Sequence, residues 1–237
     1  MQFTIRLLLA ALTATVFSAA SAGTADASFV AAERIHGMMI LAAPATATSA
    51  TAARELAELH QIEAARTPGQ VARAMADDKE ESVFLFRDVV GASFDAQTLP
   101  LTALLSSHVG RDEDANTGQL KKGYARVRPN NADKSLQPVC KTKTKDDSYP
   151  SGHATAGYLQ ALTLIELVPE KRDAILARAD DYAHNRLVCG VHYRSDIEAA
   201  RLLAYSVHAI MRENAQFKAE VAAARAELQA ASRSPLP

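Results

Sequence analysis

Between Asn185 and Asp196 the chain reads NRLVCGVHYRSD, which sets an arginine, a histidine and an aspartate at fixed offsets. Arg186 is a permanent cation able to fork two hydrogen bonds onto a phosphate, His192 is a candidate nucleophile, and Asp196 can hold that imidazole in one tautomer. Two further islands carry complementary groups. The string KKGYARVRP places Lys121 six intervening residues before Arg128-Pro129, and Pro150-Ser151-Gly152-His153 falls where a polar loop meets an apolar stretch. Lys121, Arg128 and Arg186 supply positive charge, while Ser151 and the amides of Gly152 and His153 sit at a helix N-terminus, an anion cradle. The chemistry is that of a phosphate pocket with two imidazoles: one attacks phosphorus and the other protonates the leaving oxygen.

The elements that position these groups read as helices. TAARELAELHQIEAAR, from Thr51 to Arg66, has Leu56, Leu59 and Ile62 on one face, and Thr67-Pro68 caps and opens a second helix to about Asp77. Glu81 to Val90 is expected to be another, and Pro100 to open the next, with His108 at its core edge. The charged run RDEDANT between Gly110 and Gly118 is expected to be a solvated turn, followed by a short helix from Gln119 to Val127. Asn130 to Tyr149 has no apolar period and reads as a long loop, of a length that tends to be functional or mobile. His153 to Val168 is apolar nearly all round, which implies a buried central helix stopped by Pro169, and a more polar helix follows to Asn185. Ser195 and Glu198 form an S-x-x-E capping box, placing a helix start at about Asp196 and His192 just outside it, near a positive helix end.

Composition bounds the rest. The 237 residues are 48% hydrophobic and 5% aromatic with no tryptophan, Ala and Leu dominate, and no internal repeat is visible, so the expected fold is all-α in a single domain, residues 51–232. A formal net charge of −1 gives no basic field for nucleic acid or an anionic membrane surface. Residues 1–22 have a basic start at Arg6, an apolar run and a small-residue end at Ala20-Ser21-Ala22, with Ala25-Asp26-Ala27 as a second cleavage position, and read as a secretory signal peptide. Residues 23–50 read as extended or poorly ordered. After the leader no apolar run is long enough to span a membrane, so the mature chain is expected in the periplasm or medium. The two cysteines, Cys140 and Cys189, suit a disulfide in that compartment better than a metal cage, although sequence leaves their separation open. The apolar helix faces permit homo-oligomers without counting them.

The three islands resemble the signature of the phosphatidic acid phosphatase type 2 (PAP2) superfamily, K-x6-RP, then PSGH, then SR-x5-H-x3-D. Lys121, Arg128 and Pro129 fit the first part, Pro150 to His153 the second, and Arg186, His192 and Asp196 the third. With the leader, SYPSGH and CGVHY-x-SD, the chain looks most like the bacterial class A non-specific acid phosphatases. The resemblance spans about Lys121 to Leu203. It implies a helical bundle of the PAP2 and vanadium haloperoxidase type, no metal or other cofactor, phosphate monoesters as substrates and a phosphohistidine intermediate. His192 is then the nucleophile, Asp196 its orienting partner and His153 the general acid, with Lys121, Arg128, Ser151, Gly152 and Arg186 holding the phosphoryl oxygens. Asn185 stands where the family has serine, and Asp147 where glycine is common. A ring of cations is expected to favour neutral forms of both imidazoles, so that mild acid restores the proton on His153. A vanadate-dependent haloperoxidase and a non-catalytic periplasmic anion-binding protein are the competing readings.

Overall fold

The structure is a computed structural model that describes residues 28–233; the leader lies outside the described residues. Seven helices of ten residues or more make up the described chain: α1 (Ala50–Ala65), α2 (Pro68–Asp77), α3 (Pro100–Tyr124), α4 (Gly152–Leu167), α5 (Arg172–Val188), α6 (Arg194–Met211) and α7 (Ala215–Arg233). The architecture is all-α, as composition implied.

The apolar helix α4 is the axis around which the others pack, with α6, α5 and α3 as its main neighbours and α7 behind them. Because it is apolar on every side it has no face to offer water, and Leu159, Ala161 and Leu164 have no exposed surface. Its close approach to α5 depends on Gly157, where a Cβ would fall 2.5 Å from Cδ1 of the fully buried Tyr182. Ser151 caps it, its Oγ accepting from the Ala154 amide at 3.4 Å. The α3 N-terminus is closed from a distance: the Glu227 carboxylate of α7 accepts from the Leu101 and Thr102 amides at 2.8 and 2.9 Å, a negative charge on the positive helix end.

Several expectations need correcting. The run from Gly110 to Gly118 is not a solvated turn, and no separate helix begins at Gln119; α3 runs through both without a break. Asp112, Asn116 and Thr117 point inward, and the reason lies 82 residues away: Asp112 accepts from the Phe29 and Val30 amides at 3.0 and 2.6 Å, and Asn116 donates to the Val30 carbonyl. Burial raises the Asp112 carboxyl to about 6. The same bonds anchor the N-terminal segment. In its described part, residues 28–50 have little regular structure but are packed on the core, with Val30 and Leu41 buried and the Tyr124 and Tyr149 hydroxyls donating to the Leu41 and Ala42 carbonyls. Glu81 to Val90 forms a 3₁₀ turn, Val83–Phe86, and a short helix, Arg87–Val90, rather than one helix. His108 is held by Glu220 of α7 at 2.8 Å, a structural pair at the core edge.

Among the described residues no helix is long and apolar enough to cross a membrane.

Candidate active site

The site forms where three chain segments meet at the N-terminal end of α4. The first is the exit of α3: Ala125 takes a left-handed conformation, φ 44°, and the backbone is extended at Arg128. This stretch pairs with the end of the long loop, Arg128 N donating to Lys145 O at 2.8 Å and Ser148 N to Arg126 O at 3.1 Å. The third segment is the turn from α5 to α6. Gly190, φ 74°, makes that turn, and a side chain there would meet the Pro138 backbone at 3.4 Å as well as strain the backbone. Cys140 and Cys189 are disulfide-bonded with Cα atoms 5.1 Å apart, so the loop is stapled to the turn where Cys189 caps the end of α5.

His192 lies just before α6, as expected, but the helix begins at Arg194, two residues earlier than the Ser195–Glu198 box implied. Asp196 itself closes the helix end, its Oδ2 accepting from the Tyr193 amide at 2.8 Å. Inside that first turn, the Ser195 amide donates to the Glu55 carboxylate of α1 at 2.8 Å.

The tautomer of His192 follows from its partners. Arg128 Nη1 lies 3.0 Å from Nε2, and a guanidinium can only donate, so Nε2 carries the lone pair. Nδ1 therefore carries the proton and donates to Ser148 O at 2.9 Å, with Asp196 Oδ2 at 3.3 Å. His192 is 2% exposed and Asp196 is fully buried. Burial pushes the His192 pKa well down, and Arg128, Arg186, Lys121 and His153 push it further the same way.

The cations come from three elements. Arg186 projects from the last turn of α5, where the helix end favours positive charge; its Nη1 donates to Asp78 Oδ1 at 2.6 Å. Its buried Nε has no hydrogen-bond partner. Lys121 Nζ reaches the turn of Gly152, 2.7 Å from where a Cβ would stand, so a side chain there would have to push the ammonium aside. His153 Nε2 lies 2.9 Å from Glu81 Oε1, and its ring stacks over Tyr182. The expected ring of cations thus surrounds His192 but not His153, whose nearest charged neighbours are Glu81 and Asp78. Ser151 is buried at the cap of α4, its amide bonded to Asp196 O at 3.1 Å.

Sequence reasoning missed the carboxylates. Arg128 pairs with Asp147, Arg186 with Asp78, Lys121 with Glu113 and His153 with Glu81. They come from helices and loops far apart in the chain, and only Asp147 carried a signal, as a departure from the common glycine. It also missed Ser148, whose hydroxyl donates to Asp196 Oδ2 at 2.6 Å, and Arg126. Asn185 turns away from the pocket and donates to Asp77 Oδ2 at 2.8 Å. Arg194 pairs with Glu58 near the surface.

These carboxylates compete with any anion for the cations. Burial raises the Asp147 carboxyl, but its hydrogen bonds to Arg128 and Thr144 outweigh that and bring it down to about 2. Asp147→Gly is expected to lower KM for an anionic substrate by about 2–5-fold, the size of one partly exposed ion pair, as read from initial rates.

Among the described residues, the group of His, Cys and acidic side chains close enough to share an ion is Asp78 with Cys140 and Cys189. Disulfide-bonded sulfurs have no thiolate to give a cation, so that group does not fit a metal.

An all-α protein with a cation-lined histidine and carboxylate at the end of its central helix belongs to a class defined by this site as much as by its fold. The chain belongs to the PAP2 superfamily, whose model matches residues 98–219. It is 36% identical over 149 residues to an acid phosphatase of Zymomonas mobilis, covering 61% of this chain and 56% of that one. It is 36% identical over 131 residues to a non-specific acid phosphatase of Providencia stuartii, covering 52% of this chain and 51% of the relative. A Salmonella typhimurium non-specific acid phosphatase is 32% identical over 163 residues, 65% of this chain and 64% of its own length. The chain thus spans between 51% and 64% of these relatives. In fold it is similar to the transmembrane PAP2 type phosphatidylglycerolphosphate phosphatase of Bacillus subtilis, with a TM-score of 0.53 at 19% identity over 70% of this chain and 86% of that one.

Proposed function

We propose that this protein is a secreted phosphatase that hydrolyses small phosphate monoesters through a phosphohistidine on His192, without a metal. The observation that carries the reading is the His192 tautomer: Nδ1–H is held from behind by Ser148 O and Asp196, and the Nε2 lone pair faces the cations. A histidine prepared in this way is a nucleophile, whereas simple anion binding needs no lone pair at the centre. The names of the relatives agree with it. The leader at residues 1–22 supports export.

In this mechanism the substrate phosphate draws Arg128 away from Nε2 and takes donors from Lys121, Arg128, Arg186, Ser151 and the Gly152 turn. The Nε2 lone pair attacks phosphorus in line, the ester P–O bond breaks, and His153 gives its proton to the departing oxygen. The positive charge left on the His192 ring is held by Asp196. Water then gives a proton to His153 and attacks the phosphorus, the N–P bond breaks, and phosphate leaves with His192 neutral again. The charge that a metal ion would otherwise bring to the phosphoryl oxygens is carried by the Lys and Arg side chains.

The test is acid-quenched trapping of the phosphoenzyme in excess EDTA, with the modified residue mapped by mass spectrometry. A phosphate on His192 is expected. Loss of turnover with EDTA, or a phosphate mapped elsewhere, overturns the reading.

The pH dependence has a definite sign. His192 is held well below the ordinary histidine value of about 6.5, so acidification through that value leaves the nucleophile neutral. Burial raises the Glu113 carboxyl to about 7, so below neutrality it loses its charge and its hold on Lys121. kcat/KM is therefore expected to hold or rise from pH 8 to about 6, and to fall below that as Asp196, raised by burial to about 6, takes up a proton. A steady rise from pH 5 to pH 9 contradicts this.

A further inference from the structure

We propose that Arg126 is a positioning residue that keeps Asp196 a carboxylate and fixed behind His192, so that RVRP acts as a two-pronged clamp on the histidine–aspartate pair. The inference rests on the phosphohistidine reading for its kinetic consequence, and on geometry alone for the clamp.

Arg126 and Arg128 lie two residues apart, and both side chains reach the same histidine–aspartate pair. Arg128 Nη1 meets Nε2 of His192 at 3.0 Å, and Arg126 Nη1 meets Oδ1 of Asp196 at 2.5 Å. They therefore grip opposite ends of one dyad. Asp196 Oδ2 is already shared by Ser148 Oγ, the Tyr193 amide and His192 Nδ1, so Oδ1 depends on Arg126. Arg126 is itself fixed: Nη2 donates to Glu55 Oε2 at 2.7 Å, Nη1 lies 2.8 Å from Ser195 Oγ, and the guanidinium stacks 3.9 Å from the Tyr193 ring centroid. It lies behind the dyad and makes no contact on the Nε2 side, so it orients without touching substrate.

Ionisation gives the clamp its consequence. Full burial raises the Asp196 carboxyl to about 6 even with Arg126 beside it. The other titratable groups facing that carboxyl do not replace the cation: His192 is neutral, and burial pushes the Tyr149 and Tyr193 hydroxyls up to about 12. Glu55 faces Arg126 from the far side and adds negative charge. Without the guanidinium Asp196 takes up a proton at higher pH, and a neutral acid cannot stabilise the cationic ring that forms when Nε2 bonds to phosphorus.

The experiment compares Arg126→Met, Arg126→Lys and the double variant Glu55→Gln/Arg126→Met, which removes the carboxylate the first leaves uncompensated. Each is taken through a kcat and KM profile from pH 4.5 to 8 and a ¹³C titration of the Asp196 carboxyl. In the variants lacking the cation, kcat is expected to fall about tenfold at pH 5 for each unit by which the Asp196 titration rises, with KM changed by less than about twofold, the acid limb and the Asp196 titration moving up together by about one unit or more. Arg126→Lys is expected to restore most of the acid limb. An unmoved Asp196 titration in a folded variant overturns the clamp, and so does a raised KM with unchanged kcat, which would put Arg126 on the substrate. If wild type forms no phosphoenzyme the functional reading fails, while the carboxyl titration still decides the clamp. Should Arg126→Met not fold, the double variant and Arg126→Lys decide the question.

Discussion

His192→Ala is expected to lose at least about 10⁴-fold in kcat, with no phosphoenzyme on acid quench, because no other group can take the place of a nucleophile that forms the bond to phosphorus. Ring and lone pair go together: what remains is the cluster of Lys121, Arg128 and Arg186, which still binds an anion. Competitive inhibition by inorganic phosphate is therefore expected to survive within about tenfold, since the cations that supply its binding energy are untouched. Removal of the ring leaves Arg128 Nη1 and Ser148 O each short of a partner in a buried site, at a stability cost of about 1–3 kcal/mol. His192→Gln keeps an amide near both groups and controls for that loss. Turnover of either variant within tenfold of wild type would remove His192 from the chemistry and with it the proposed mechanism.

The second large effect is on stability. Replacing both cysteines by serine opens a loop of 49 residues of sequence separation. Chain entropy alone sets the loss at about 4 kcal/mol, and for a protein of this size that corresponds to a fall in Tm of about 10 °C in calorimetry. Activity should suffer as well, below the melting point. The Cys189 Sγ lies 3.7 Å from Arg186 Nη1 and 3.7 Å from Ala74 O, on the helix whose end carries Asp77 and Asp78. The loop it staples brings Asp147 and Ser148 to Arg128 and Asp196. A looser staple would let these partners drift, so kcat is expected to fall with the loss of stability. An unchanged Tm would mean that the helical packing alone restrains the loop.

The central helix, the capped α2 and the start of α6 near Asp196 were legible, because periodicity, proline and capping residues act within a turn or two. The turn assigned to residues 111–117 failed for the opposite reason. A run of charges reads as solvated unless a partner is known, and the partner of Asp112 is the backbone at Phe29 and Val30. Glu55 was hidden in the same way: one buried carboxylate on an otherwise amphipathic helix reaches Arg126 and the Ser195 amide, partners that no local pattern shows. Asn185 sits where a phosphate-binding serine was expected, yet it serves Asp77 instead, a contact between α5 and α2 that no local pattern records.

By itself the sequence determined which groups can do the chemistry. The histidines, the aspartate and the three cations are marked by spacing, since their roles depend on residue type and on short-range offsets such as the four residues from His192 to Asp196. Tertiary structure decided how those groups are held. It set the His192 tautomer, through a carbonyl from the loop and a guanidinium from the end of α3. It gave Arg128 and Arg186 carboxylate partners from other parts of the fold, Asp147 and Asp78, and it placed Arg126 behind the dyad. These are electrostatic contacts between segments brought together by packing around α4, and in a buried site such contacts set charge and orientation more strongly than any neighbour along the chain.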